Sequence, residues 1–121
     1  GYTVQGRDAA SAEKLVEDSR ALDAAGIFAL VLEAMPVAVA GEITRAVNVP
    51  TIGIGAGPAC DGQILVVHDL LGLYERLQPK FVKRYAELGA AMQQAFALYR
   101  EEVEDGAFPG PEHVYGPESK P

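Results

Sequence analysis

Four side chains capable of acid–base chemistry lie next to short apolar runs of the sequence. Glu33 directly follows a run of six apolar residues, and Asp61, His68 and Asp69 flank a second run. In barrels and open α/β sheets, catalytic groups lie at the carboxyl ends of such strands. A glutamate there can act as a general base when partial burial disfavours its charged form. Glu33 is therefore our candidate catalytic residue, although the residues alone leave open that it is an ordinary solvated loop glutamate.

The other candidates have weaker claims to catalysis. Asp61 and Asp69 were predicted at the same strand ends, but both are typical of carboxylates that bind backbone amides in turns and at helix starts. His68 is more typical of a structural histidine. Cys60 has no adjacent base, and His113 has no polar constellation around it. The residues alone therefore assign no metal ligand and no cofactor-binding residue.

Three glycines, at positions 53, 55 and 57, resemble a nucleotide-binding loop at first sight. A dinucleotide fingerprint needs another glycine three residues after Gly55, where this sequence has Pro58, and no amphipathic helix follows. A Walker-type phosphate loop needs lysine where this sequence has Gln63. Both nucleotide interpretations therefore fail. Two other interpretations of these glycines remain open: they form a tight backbone turn, or they contact a ligand directly.

Composition excludes several classes of function. The 121 residues make one domain at most, and an apolar fraction of 49% is enough for a core. The formal net charge of -7 argues against nucleic acid or an anionic membrane as a partner. No apolar run approaches the roughly 20 residues that span a bilayer. A single cysteine, Cys60, excludes an internal disulfide and favours a cytoplasmic location.

The first half of the sequence alternates helical and strand patterns. A helix capped by Asp8 or Ser11 and closed by Gly26 is predicted first. The predicted elements that follow are a strand at 27–32, a helix starting at Pro36, and strands at 51–54 and 64–67. This alternation is typical of a parallel α/β sheet covered by helices. Periodicity alone does not separate an open sheet from a barrel.

The second half of the sequence predicts a long helix and a tail. From Lys80 to Val103, apolar residues recur every three or four positions. This spacing predicts one amphipathic helix, or two joined near Gly89, whose apolar stripe serves packing. Prolines and glycines dominate the end of the chain, so residues 107–121 are predicted to form an extended tail.

Several segments together resemble one known family. The matching segments are LVLEAMP at 30–36, PTIGIGAG at 50–57, DGQILV at 61–66 with His68 and Asp69, PKF at 79–81, GYxVQGR at 1–7, and GxFPxxEH at 106–113. In this order and with these gaps, they are similar to the carboxyl-terminal half of ketopantoate hydroxymethyltransferase. The resemblance extends over essentially the whole chain.

The resemblance implies a fold and a reaction. The expected fold is the second half of a (β/α)8 TIM barrel of the phosphoenolpyruvate/pyruvate type, assembled as a decamer. The expected reaction transfers a hydroxymethyl group from methylenetetrahydrofolate to 3-methyl-2-oxobutanoate, giving 2-dehydropantoate for pantothenate and coenzyme A synthesis. Magnesium holds the keto acid in that family. Glu33 matches the family's proton acceptor, so the resemblance favours catalysis over a solvated loop glutamate.

The resemblance also implies that residues 1–121 are one partial domain. The family's magnesium ligands and most of its contacts to the keto acid lie in the first half of the barrel. The opening residues have the character of a loop, and we expect a companion chain to carry that first half. Two alternatives remain at this level. One is another barrel enzyme of the same superfamily that acts through an enolate, and the other is a non-catalytic assembly module.

Overall fold

The first helix forms where the sequence predicts it. In the computed structural model, which describes residues 3–74 and 78–116, helix α1 spans Ala9–Ala24. Asp8 is its N-cap, because the Asp8 carboxylate accepts hydrogen bonds from the Ser11 hydroxyl at 2.6 Å and the Ser11 backbone N–H at 2.9 Å. These two bonds hold the pKa of Asp8 below its ordinary value. Gly26 follows the helix with a φ of +88°, which glycine adopts at low cost.

Three parallel strands form the sheet. In chain order the elements after α1 are β1 (Leu30–Glu33), α2 (Val37–Ala46), β2 (Thr51–Ile54) and β3 (Gly62–Gln63). The strand order is β1-β2-β3, and both neighbouring pairs are parallel. Helix α2 makes the crossover between β1 and β2. The predicted mixed α/β architecture with a parallel sheet is therefore confirmed.

The bounds of two strands differ from the prediction. Strand β1 starts at Leu30 and includes Glu33, whereas a strand at 27–32 was expected. The strand predicted at 64–67 is wrong, because the third strand lies earlier and Val67–Leu70 forms a short helix, α3. The Val66 carbonyl accepts hydrogen bonds from the N–H groups of Asp69 and Leu70, which starts that helix. A short apolar run by itself does not distinguish a strand from a helix.

The last helix also begins later than predicted. Helix α4 is a single helix that spans Leu88–Glu104, so the first eight residues of the expected pattern lie before it. The Tyr85 N–H donates to the Leu70 carbonyl at 2.8 Å, and the Leu88 N–H donates to Leu71 at 3.0 Å. These bonds attach the segment to α3, and they override the local preference for helix.

The C-terminal segment folds back on the end of α4. The ring of Phe108 lies between those of Tyr99 and His113, with centroid distances of 5.5 Å and 5.1 Å. Pro111–His113 forms one turn of 3-10 helix. The rest of the predicted tail, residues 117–121, lies outside the described residues, as do residues 1 and 2 of the opening motif.

The core lies between the sheet and the first two helices. Leu32 of β1 packs there with Val16 of α1 and with Ala40 and Ile43 of α2, both of which are fully buried. The opposite face of the sheet is open: Val31 is 54% exposed and Ile64 is 46% exposed. Parallel sheets in α/β proteins are usually covered on both faces. The described part of the chain therefore covers one face of its sheet and leaves the other apolar and accessible.

Helix α4 has an exposed apolar stripe. None of its residues is buried, and Met92, Phe96 and Tyr99 are among its exposed apolar side chains. The packing role predicted for this stripe is therefore not fulfilled within residues 3–74 and 78–116. None of the helices formed by these residues has the length and apolar character needed to cross a bilayer.

Buried Thr51 connects the amino ends of β2 and β3. Its backbone N–H donates to the Asp61 carboxylate at 2.8 Å, and its hydroxyl lies 2.9 Å from that of Thr44 on α2. The Asp61 N–H donates in return to the Thr51 hydroxyl at 3.2 Å. These bonds satisfy a polar residue that is fully buried.

We expect Asp61→Ala to lower the free energy of unfolding by about 1–3 kcal/mol, because it leaves the buried Thr51 N–H without an acceptor. Asp61→Asn is the matched control, since its amide oxygen can still accept that bond, and it should cost less. Denaturant unfolding of the protein that contains this chain measures both. Equal losses in the two variants would contradict the assignment.

Candidate active site at the carboxyl ends of the strands

Glu33 is held on a constrained piece of backbone at the end of β1. The next residue, Ala34, is buried and has a φ of +50°, a left-handed conformation that costs a non-glycine residue of order 1–3 kcal/mol. The Ala34 N–H donates to the Ile54 carbonyl at 2.9 Å, and its carbonyl accepts from the Gln5 N–H at 2.9 Å. Bonds on both sides of Ala34 thus hold the strained turn, which is a feature often found at functional sites.

The strand register sets the neighbours of Glu33. Glu33 pairs with Ile54, and the Ile64 N–H donates to the Gly53 carbonyl at 3.0 Å, which extends the β2–β3 register by one residue. Side chains alternate between the two faces of a strand. Glu33, Ile54 and Ile64 therefore form a row across the open face, while Leu32 lies on the core face. This row places one carboxylate beside Ile54, with Ile64 one strand further on.

The Glu33 carboxylate is exposed in this chain. Within residues 3–74 and 78–116 it has no hydrogen-bonding or ion-pair partner. The partial burial that would favour a general base is thus not supplied by these residues.

Asp61 lies far from the row that contains Glu33, at the other end of the sheet. Asp61 precedes β3 and binds the first residue of β2, so it lies at the amino ends of the strands. Its predicted position at the carboxyl ends is therefore wrong. The other expectation, a carboxylate that binds a backbone amide in a turn, is confirmed by its bond to Thr51.

His68 and Asp69 also differ from the prediction. Both are exposed residues of α3, so they do not end a strand. Asp69 lies in the first turn of that helix, as expected for a helix-start carboxylate. Cys60 packs over β2, because a Cβ built on Gly53 would lie 2.9 Å from its sulfur. His113 accepts a hydrogen bond at Nδ1 from the Gly110 N–H at 3.2 Å.

A pocket of about 370 Å³ opens beside the row. Its walls come from the ends of β2 and β3, from α3 and from the segment before α4: Gly55, Gln63, Ile64, Leu65, Leu70, Phe81, Lys83 and Tyr85. The sequence pattern did not predict this pocket, because its spacing places Phe81 and Tyr85 on a long helix. The basic and aromatic character of residues 79–85 was the signal available in the sequence.

The glycine loop has a packing role in this structure. Gly55 has a φ of +66°, and a Cβ there would lie 2.6 Å from the Phe81 ring. Gly57 has a φ of +77°, and a Cβ there would collide with Val37 of α2. The Gly57 carbonyl also accepts a hydrogen bond from the Gln63 amide at 2.8 Å. These contacts explain the glycines as a tight turn under close packing.

The described residues do not fit a magnesium site. Magnesium takes near-octahedral oxygen ligation, usually with one or two carboxylates. No group of three or more His, Cys, Asp or Glu side chains is arranged for a metal ion within residues 3–74 and 78–116. In the row itself, the neighbour of Glu33 is Ile54, and Ile64 lies one strand further on.

Comparison with known proteins identifies the family. The family model for ketopantoate hydroxymethyltransferase matches residues 1–111. The chain belongs to the ketopantoate hydroxymethyltransferase family. The resemblance seen in the sequence is thereby confirmed.

The curated relatives of this chain are longer than it is. The chain is 58% identical over 116 residues to 3-methyl-2-oxobutanoate hydroxymethyltransferase of Syntrophobacter fumaroxidans. The aligned region covers 96% of the chain and 41% of the relative. The proteins of the same name from Oleidesulfovibrio alaskensis and Caldicellulosiruptor bescii are 59% and 56% identical, over 96% and 95% of the chain and 40% and 44% of the relative. The chain thus spans about two fifths of the length of these relatives.

We expect Gly55→Ala to be more damaging than Gly26→Ala, although both glycines have positive φ. Nothing lies within 4 Å of a Cβ at Gly26, so that variant carries only the backbone strain of about 1–2 kcal/mol. At Gly55 the Phe81 ring must also move, which adds about 1–3 kcal/mol. Unfolding measurements on the two variants test this order. A Gly26→Ala loss equal to or above that of Gly55→Ala would contradict the packing role.

Proposed function

We propose that this chain supplies the general base for hydroxymethyl transfer from methylenetetrahydrofolate to 3-methyl-2-oxobutanoate, which yields 2-dehydropantoate for pantothenate synthesis. The names of the curated relatives support the reaction. The observation that carries the role of Glu33 is its position, on a constrained strand end in a row with Ile54 and Ile64.

The arrangement of the row suits the chemistry of the keto acid. The carbon at position 3 carries the acidic proton and two methyl groups, and it lies next to the ketone. Glu33 takes that proton, and the electron pair of the C–H bond delocalises onto the ketone oxygen. Ile54 and Ile64 offer apolar surface to the methyl groups. Carbon 3 then forms a bond to the methylene carbon of the folate. The two bonds from that carbon to the folate nitrogens break, and a water molecule supplies its hydroxyl group. The released tetrahydrofolate takes up two protons in total, one from the water and one equivalent to the proton removed from carbon 3.

Further segments of the same fold are proposed to complete the site. A barrel with eight strands would cover the open face of this sheet, remove its free edges and partly bury Glu33. The coverage of about two fifths of the relatives' length supports this proposal. We further propose that the magnesium ligands and most keto-acid contacts lie outside this chain, in a companion chain or segment, and that the complete barrels assemble as a decamer.

We expect Glu33→Gln to lower the rate of proton removal by about 10²- to 10⁴-fold in the complete enzyme, because glutamine keeps the shape but cannot accept the proton. The informative assay is exchange of the C3 proton of 3-methyl-2-oxobutanoate with deuterium from solvent, followed by NMR. This assay isolates the step assigned to Glu33.

The control for this variant is Glu42→Gln, which removes a carboxylate from the exposed side of α2. It should exchange at the parent rate. A Glu33→Gln enzyme that is folded and exchanges at the parent rate would assign the base to another residue. Exchange that is absent from the parent enzyme would overturn the proposed reaction itself.

We also expect the 121 residues alone to neither catalyse the transfer nor bind magnesium tightly. The described residues offer no metal site, and one face of the sheet lies open. Calorimetry with magnesium and an assay for 2-dehydropantoate test this, and adding the remaining three fifths or so of the relatives' length should restore both. Turnover by the 121 residues alone would refute the incomplete-site proposal.

A further inference from the structure

The pocket beside the row has an aromatic and cationic outer wall. Phe81, Lys83 and Tyr85 line it, and the Lys83 ammonium lies 4.9 Å from the centre of the Tyr85 ring. Residues 78–86 contain three cations and are followed by Glu87, and of these charged residues only Lys83 lines the pocket, in a chain whose formal net charge is -7. This wall therefore differs in charge from most of the molecule and suits a ligand with both an aromatic ring and carboxylates.

The three cations of this segment are not equivalent. Arg84 is occupied, since it donates to the Tyr74 carbonyl at 2.8 Å and lies 3.4 Å from the Glu87 carboxylate. Lys80 does not line the pocket. Lys83 lines it, is exposed, and has a ring as its neighbour in place of a carboxylate. Lys83 is therefore the cation available to an anionic ligand in this pocket.

We propose that this pocket binds the p-aminobenzoylglutamate part of methylenetetrahydrofolate. The benzoyl ring lies against Phe81 and Tyr85, and Lys83 binds a glutamate carboxylate. This inference rests on the proposed function, because it assigns the folate co-substrate to residues of this chain.

The position of the pocket agrees with the geometry that the reaction needs. Ile64 belongs both to the pocket wall and to the row that contains Glu33. The carbonyl of Gly55, another wall residue, accepts a hydrogen bond at 3.2 Å from the N–H of Met35. Met35 is two residues after Glu33 in the sequence. The inner end of the pocket is therefore beside the proposed reaction centre, where the one-carbon unit must be delivered. Lys83 and Tyr85 are exposed, and we place them at the outer end of the pocket on that ground.

The size and openness of the pocket also fit a bound fragment with a tail. A volume of about 370 Å³ lies at the lower end of the range for small-molecule sites, so it accommodates part of a folate and leaves the rest outside. Tyr85 is 66% exposed, so the outer end is accessible to solvent. A folate carrying several glutamates can extend past Lys83 without being buried.

The test compares Lys83→Gln with Lys80→Gln in the complete enzyme. Both remove one positive charge from the same segment, but only Lys83 lines the pocket. We expect Lys83→Gln to raise the KM for methylenetetrahydrofolate about 5- to 10-fold, as for loss of one accessible charged hydrogen bond. Lys80→Gln should change it by less than about twofold. The KM for 3-methyl-2-oxobutanoate and its C3 deuterium exchange without folate should stay at parent values in both variants.

A second readout uses p-aminobenzoylglutamate as the probe. It should inhibit the parent enzyme competitively against methylenetetrahydrofolate and not against the keto acid. Lys83→Gln and Tyr85→Leu should weaken this inhibition, and Lys83→Arg, which keeps the charge, should restore most of it.

The outcomes separate this inference from the proposed function. An active parent enzyme in which Lys83→Gln behaves like Lys80→Gln, and in which the probe does not compete with folate, overturns the folate site alone. A Lys83→Gln enzyme with a raised KM for the keto acid assigns the lysine to the other substrate and overturns it as well. A parent enzyme that makes no 2-dehydropantoate overturns the proposed function.

Discussion

The parallel hydrogen-bonded pairing of β1 with β2 is the interaction on which the rest of the site depends. This pairing aligns Glu33 with Ile54. The hydrogen-bond ladder continues one residue beyond β1, because the Ala34 N–H donates to the Ile54 carbonyl. The left-handed turn at Ala34 is held by this ladder on one side and by Gln5 on the other. Without the pairing, Glu33 would lie on a loop with no defined direction.

The two faces of the sheet show a division between stability and chemistry. The face toward α1 and α2 contains the core, with Ala40 and Ile43 fully buried. The opposite face combines apolar side chains with the one carboxylate of the row. An open apolar face costs free energy in water, because its burial elsewhere would contribute about 25 cal/mol per Å². The same openness leaves Glu33 accessible from this face.

Polar groups at the two ends of the sheet have different roles because their partners differ. At the amino ends, the Asp61 carboxylate accepts hydrogen bonds from the backbone N–H and the hydroxyl of buried Thr51. At the carboxyl ends, Glu33 has no such partner among the described residues. The Asp61 carboxylate is thus held by the fold, whereas the Glu33 carboxylate makes no hydrogen bond within the part of the chain that the structure describes. This contrast distinguishes Asp61 from Glu33, although the sequence predicted both at the carboxyl ends of the strands.

The sequence by itself determined a capped first helix, the alternation of helices with parallel strands, the position of Glu33 at a strand end and the family. It left the cap open between Asp8 and Ser11, and the structure assigns it to Asp8. The first three features depend on local patterns of apolar and capping residues. The family depends on several short motifs that occur in the expected order along the chain. Only the tertiary structure decided that 67–70 is helical, that α4 begins at Leu88, that Asp61 lies at the opposite end from Glu33, and that Phe81, Lys83 and Tyr85 wall a pocket. Each of these depends on hydrogen bonds or packing between residues distant in sequence, such as Tyr85 with Leu70 and Gly55 with Phe81, whose energies outweigh local preference and leave no periodic signal.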